Sequence, residues 1–191
     1  LIERKQLRAR QRIIAAAAEL FADHGFDAVS VSDIAERAEV GRTTFFRYFG
    51  DKQEVVFARE QEVLDLIAGE HLEIPRSGDR TPTSALRALE PVLLRVCDRM
   101  TSSPDGYRAH MQLVDGHGEL RGRDAAKMRV AAERLSGLLL AGGWDAGPAA
   151  LAAELALACY WTARSTNPDP EDLSSATRNA LRHTLELGKS R

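Results

Sequence analysis

The stretch Ser30-Val31-Ser32-Asp33-Ile34-Ala35-Glu36-Arg37-Ala38-Glu39-Val40-Gly41-Arg42-Thr43-Thr44-Phe45-Phe46-Arg47-Tyr48-Phe49 decides the fold. Ser30 to Asp33 has the pattern of a capping box. The serine oxygen takes a free backbone N–H at the helix start, and Asp33 reaches back to the cap. Val31, Ile34, Ala35 and Ala38 then fall on one side of a short helix. Glu39-Val40-Gly41 breaks it, and a second short helix runs from Arg42 to about Tyr48. Two short helices joined by so tight a turn have the layout of a helix-turn-helix.

The second of these helices sorts its side chains by face. Phe45 and Phe49 are four residues apart, so they share a side and lock the helix to its neighbours. Arg42, Thr43, Phe46 and Arg47 point elsewhere. A helix this short buries little of its own and makes sense as a reading head for the major groove. Asp51-Lys52-Gln53-Glu54 reads as a second capping box, opening a long helix to about Leu72. Lys52 lies at the first turn of that helix, where the dipole disfavours a cation. A lysine among free N–H groups makes a seat for a phosphate. Tyr48, Thr43 and Thr44 have hydroxyls to add nearby.

Upstream, a helix is expected from about Arg4 to His24. Ile13, Ile14, Ala17, Leu20 and Phe21 form its stripe, and Gly25 ends it. The basic residues Arg4, Lys5, Arg8, Arg10 and Arg12 read either as a solvated charge run or as an arm along DNA. Glu19 interrupts the alanine run after Ile13-Ile14, so an amphipathic helix fits better than a leader peptide. Downstream, a Pro/Gly/Ser-rich loop at 75–82 precedes helices at about Thr83–Thr101, Pro104–Gly116, Leu120–Gly142, Pro148–Thr166 and Pro170–Gly188. Asn167-Pro168-Asp169 alone separates the last two, which predicts an antiparallel hairpin. No segment alternates at period two, so no strands are expected.

The 191 residues are 44% apolar and 28% charged, the balance of a globular chain. A formal net charge of -2 means that any nucleic-acid face must gather positive charge locally. Cys97 and Cys159 lie in apolar helices and read as buried free thiols of a reducing compartment. No apolar run approaches the ~18 residues of a membrane span, and the cytoplasm is the expected location. Motifs for a hydrolase elbow, a P-loop or a paired-cysteine zinc site are absent from the sequence. His110, Asp115, His117 and Glu119 suggest a metal site only across a glycine-rich break, and surface polarity explains them better. No catalytic residue, metal or cofactor is expected.

Val29 to Ala38, followed by Val40 to Phe49 and Lys52, resembles the DNA-binding signature of the TetR family of transcriptional regulators. The likeness covers about residues 8–57; the later helices match only in number and length. The resemblance implies an all-α chain of about nine helices. A three-helix DNA-binding domain would occupy 1–52, and a ligand-binding and dimerisation domain 53–191. It implies that Arg42, Thr43 and Arg47 face bases or nearby phosphates, with Phe46 as a thymine-methyl or sugar contact. Ser30, Thr44, Tyr48 and Lys52 would hold phosphates, and Phe45 and Phe49 would be core. The partners implied are palindromic double-stranded operator DNA, a second copy of the chain and a small-molecule effector.

Two departures from the family fall in the turn. Glu39 stands where glycine is usual; a left-handed backbone there would cost roughly 1–2 kcal/mol. Gly41 stands where a serine cap is common, and glycine is an acceptable cap. The pairing face is expected on the last two helices, with Leu151, Leu155, Ala158, Leu173, Ala180, Leu181 and Leu185. An effector cavity would be lined by Leu93, Cys97, Met100, His110, Met111, Val114, Met128, Leu135 and Trp161, with Leu64, Leu89, Trp144 and Tyr160 as further candidates. An apolar residue at helical spacing is core more often than pocket, so each of these positions reads more readily as core. Regulation without a small molecule, and activation instead of repression, remain open alternatives at this point.

Overall fold

The computed structural model describes residues 2–72, 80–167 and 169–187, with side chains from residue 6 onward. The described residues form ten α-helices and no strand: α1 (Ile2–His24), α2 (Val31–Arg37), α3 (Arg42–Tyr48), α4 (Lys52–Val56), α5 (Ala58–Gly69), α6 (Pro82–Met100), α7 (Pro104–Gly116), α8 (Gly118–Ala141), α9 (Ala146–Thr166) and α10 (Leu173–Leu187), with a 3₁₀ turn at Pro170–Asp172. Most of the expected loop at 75–82, Pro168, and the expected helix end at Gly188 lie outside the described residues.

Local chemistry explains most boundaries. Gly25 stops α1 with a φ of 80°, which a side chain would oppose. Ser30 caps α2 through a complete box with Asp33. Thr81 and Ser103 cap α6 and α7, each followed by proline in the first turn. The expected Asp51–Glu54 box is only half formed. Asp51 accepts from Glu54 N at 2.8 Å, but the Glu54 carboxylate turns away to Arg123 and Lys127 on α8.

The long helix expected over 51–72 is two helices, broken at Phe57 (φ −95°, ψ 21°). Neither proline nor glycine breaks it. Phe57 is fully buried with Phe26, Val114 and Leu120 in a small core of its own. That tertiary contact decides the backbone here, against a local sequence that favours helix.

Two larger cores flank this small one. The N-terminal core joins Ile13, Ala17, Ile34, Ala35, Phe45 and Phe49 to Val55 and Ala58. The C-terminal core is built on α9, which packs against α6, α8 and α10. Its inward face is almost all alanine (Ala149, Ala152, Ala153, Ala156, Ala163), so neighbouring helices approach closely. Inside it, Arg164 pairs with Asp124 at 2.5 Å, both nearly inaccessible. Burial pushes the Tyr107 hydroxyl up to about 12 and the Cys97 thiol up to about 11. Cys97 and Cys159 are free and buried, which leaves both thiols protonated and inert.

Glu39 adopts a φ of 53°, the only positive value among described non-glycine residues. Its Val40 neighbour still returns an N–H to Ala35 O at 2.9 Å, so the turn keeps its hydrogen bond and carries the strain. Glu39→Gly is expected to raise the unfolding free energy by about 1 kcal/mol, read as a shifted urea midpoint at unchanged slope.

Candidate nucleic-acid interface

The outward face of α3 is set by its inward one. Phe45 is fully buried and Phe49 nearly so, their rings 5.9 Å apart at a tilt of 46°. Both belong to the core made with Ile13 of α1 and Ile34 of α2. Helical spacing then sends Arg42, Thr43, Phe46 and Arg47 to the surface, where all four are exposed. Thr44 and Tyr48 are half-buried at its edge. The Arg47 guanidinium lies over the Tyr48 ring at 5.1 Å, which holds an arginine and a hydroxyl side by side. Phe46 is 49% exposed, a large apolar group facing water, and its ring edge rests on Phe45 at 5.5 Å.

Ser30 is exposed, but its hydroxyl is engaged. It donates to Asp33 Oδ2 at 2.7 Å and receives Asp33 N at 3.2 Å. These bonds hold the Asp33 carboxyl below its usual range. A depressed carboxylate pKa stabilises the fold above the unfolded-state value and loses that contribution as pH falls through the folded one. The cap therefore weakens only in acid. The Ser30 N–H also donates to Asp33 Oδ2 at 2.8 Å, so both Ser30 donors are engaged by the cap.

Lys52 departs most from expectation. Its ammonium points back into the protein and donates to the carbonyls of Phe26 at 2.9 Å, Val29 at 3.1 Å and Asp27 at 3.5 Å. It also sits over the Phe26 ring at 4.3 Å. An ammonium has three N–H donors, and three carbonyls take them. Lys52 thus ties the start of α4 to the turn before α2, and the phosphate seat expected at this helix start is without its lysine.

The basic run is also redistributed. It lies within α1 and not before it. Arg10 turns inward, donating to Ala58 O at 3.1 Å and pairing with Glu62 at 3.1 Å. Arg12 stands 3.6 Å from Glu39. Arg8 remains exposed; the side chains of Arg4 and Lys5 lie outside the described residues.

The expected cavity liners do not come together. Leu93, Cys97 and Leu135 are fully packed in the C-terminal core. Val114 belongs to the small middle core. Met128 and Trp161 line an outer groove between α8 and α9, Trp161 being 47% exposed. Met111 packs half-buried against the main core. Met100 and His110 reach a different cleft of similar size, between α1 and α7. That cleft measures about 830 Å³, with Ala18 and Phe21 on one wall and Tyr107, Ala109 and Leu113 on the other. His110 faces it with Nε2 2.7 Å from Glu60 Oε1, and His117 Nδ1 donates to Leu113 O at 2.8 Å. No group of three or more His, Cys, Asp or Glu among the described residues is placed to hold a metal. The cleft had a signal in the sequence: α1 carries apolar residues at 13, 14, 16, 17, 18, 20, 21 and 22, a stripe wider than one core needs.

On the expected pairing face, Leu173 and Leu181 are fully buried in their own subunit. They are core residues and cannot meet a partner. Leu151 and Ala158 are exposed, and Leu155, Ala180 and Leu185 half-buried. No described helix is long and apolar enough to cross a membrane.

Lys52→Met is expected to lower the unfolding free energy by about 1.5–3 kcal/mol, the range for hydrogen bonds to a charged group, measured by chemical denaturation. An unchanged midpoint would return Lys52 to the surface.

Comparison with known proteins agrees with this geometry. Residues 13–58 match the model of the family described as bacterial regulatory proteins, tetR family. The transcriptional regulator TcmR of Streptomyces glaucescens is 34% identical over 117 residues, covering 60% of this chain and 51% of TcmR. The transcriptional activator FasR of Mycolicibacterium smegmatis is 28% identical over 125 residues, 65% of this chain and 53% of FasR. The chain thus spans about half the length of these curated relatives. Among solved structures, a SmeT–triclosan complex superposes with a TM-score of 0.60 at 22% identity, covering 94% of this chain and 90% of SmeT; SmeT is the repressor of the Stenotrophomonas maltophilia efflux pump SmeDEF. The fold is therefore shared over 94% of this chain, while the family model matches residues 13–58. A short helix anchored by two phenylalanines, inside a stretch over 13–58 that matches the tetR family model and set in an all-helical frame like that of SmeT, identifies residues 13–58 as a segment of the tetR type of bacterial regulatory proteins.

Proposed function

We propose that this chain is a homodimeric transcription repressor that leaves its operator when a small molecule binds. The observation that carries the reading is the exposed face of α3. Arg42, Thr43, Phe46 and Arg47 share one side of a helix whose other side is locked into a core. Arginines read guanine edges or phosphates, threonine a base or phosphate, and Phe46 meets thymine methyls or sugar. Thr44, Tyr48 and the backbone near Ser30 fix the register on phosphates.

Geometry supports pairing. Two reading heads must lie about 34–36 Å apart to enter successive major grooves, and one chain of this size has one head. Leu151, Leu155, Ala158 and Ala180 on the outer sides of α9 and α10 supply a surface of small and apolar residues for a four-helix contact. A palindromic operator would mirror the twofold axis. The likeness to SmeT, solved with triclosan bound, supports control by a small molecule. The likeness to an activator, FasR, supports a second reading in which the bound protein promotes transcription. The position of the operator relative to the promoter separates the two.

Selection of bound fragments from random DNA is expected to return an inverted repeat, with half-sites centred about one helical turn or a multiple apart. On that DNA, Arg47→Ala is expected to weaken binding and to flatten the salt dependence by about one unit of slope if it meets a phosphate, or to relax one base position at about 1–3 kcal/mol if it meets a base. Unchanged affinity and selectivity would sink the assignment of the face. Ala158→Arg is expected to convert a dimer into a monomer in sedimentation and to abolish binding to the full repeat.

A further inference from the structure

We propose that the cleft between α1 and α7 is the effector site, and that it takes a small apolar acid, a carboxylate or phenolate, on Arg59. The proposal rests on the ligand-controlled reading above and names the place and the chemistry. The cleft's volume of about 830 Å³ lies in the range of small-molecule sites. Its walls are apolar, with Ala18 and Phe21 from α1 against Ala109 and Leu113 from α7.

Among the residues lining it, Arg59 is the only one with a fixed positive charge. One guanidinium nitrogen donates to Met100 O at 2.8 Å. Among the described residues no carboxylate pairs with it, whereas Arg95, Arg99, Arg108 and Arg123 have such partners in Glu70, Glu62, Asp105 and Glu54. The second nitrogen lies beside Gly106, where an added Cβ would stand 3.3 Å from it. Glycine there leaves the guanidinium reachable from the cleft. The one carboxylate in the lining, Asp27, is 86% exposed at the rim, so water screens it. Glu60 is buried beside His110, its Oε1 lying 2.7 Å from His110 Nε2, while neither that nitrogen nor Glu60 Oε2 makes a hydrogen bond. A fork of N–H donors at the end of an apolar slot recognises an oxyanion on an apolar body.

The position gives the ligand something to change. The cleft is walled on one side by the N-terminal half and on the other by the C-terminal half. Phe26 lines it and also carries the Lys52 ammonium on its ring. A ligand that presses on Phe26 bears on the carbonyls that hold Lys52, and so on the join between α2, α4 and the reading head. Only a ligand that favours one spacing of α1 and α7 can shift the equilibrium between DNA-competent and released forms.

The test uses the whole chain and four probes, 2-naphthoate and decanoate with their methyl esters, titrated by calorimetry near neutral pH. At least one acid is expected to bind ten or more times tighter than its ester. Arg59→Gln is expected to bring the acid down to the level of the ester. Ala109→Trp, a change at an exposed helical position that fills the slot, is expected to remove binding of all four while the thermal midpoint holds. Acid and ester binding alike, or acid binding that survives Ala109→Trp, would overturn the site. The selected inverted repeat separates this from the broader reading. The better acid at saturation is expected to weaken operator binding 5- to 150-fold. Operator binding indifferent to a bound acid overturns the effector site alone; a chain that binds no operator without acid overturns the regulator itself.

Discussion

A helix of seven residues has no stability of its own in water, because nucleation costs more than so few hydrogen bonds return. α3 exists because Phe45 and Phe49 are buried against Ile13 and Ile34, each ring contributing about 1.5–3 kcal/mol by leaving water. The same burial fixes the rotation of the helix about its axis. With 45 and 49 inward, residues 42, 43, 46 and 47 have nowhere to go but out. The identity of the exposed face is therefore a consequence of core packing, and the chemistry offered to DNA can vary without disturbing the anchor. Phe46 illustrates this freedom: an exposed aromatic that stability does not require.

What the sequence made legible was whatever a local rule decides. The cap at Ser30, the stop at Gly25 and the span of α3 all follow from side chains within one or two turns. Glu39 was legible as strain through the family's glycine at that place, and its φ of 53° bears this out. What stayed hidden was decided at a distance. Nothing near Phe57 breaks a helix; a pocket made by Phe26, Val114 and Leu120 does. Apolar residues at helical spacing look the same in a packed core and in a cavity wall, so Leu93, Cys97 and Leu135 were offered as liners and proved to be core. Leu173 and Leu181 were offered to a partner for the same reason. α10 is amphipathic, but the pattern does not say which partner its apolar face meets.

Lys52 and Arg10 teach the corresponding lesson for charge. Position at a helix start, or within a basic run, suggests a phosphate. Both residues instead satisfy carbonyls of their own chain. Carbonyls left over at a turn need donors as much as a phosphate does, and an intramolecular partner is held in place at all times. A cation near a helix-turn-helix is thus evidence for DNA only after the turn's own carbonyls are accounted for. Arg42 and Arg47 pass that test, since neither has a carbonyl or carboxylate partner among the described residues.

Between the two larger cores lie the small core of Phe26, Phe57, Val114 and Leu120, the Arg10–Glu62 and His117–Asp27 pairs, and Arg123 and Lys127 bound to Asp51 and Glu54. These ion pairs are partly exposed, and such pairs contribute about 0–1 kcal/mol each. Beside them the α1–α7 cleft leaves apolar surface of both halves in contact with water. A rigid junction would hold one spacing of the halves whatever was bound; an absent one would transmit nothing. A few charge pairs and one small core lie between these limits, where a coupling of about 1–3 kcal/mol is comparable to the interactions that set the spacing. The N-terminal and C-terminal cores can then each be well packed while the small core between them is the part that a modest input can alter.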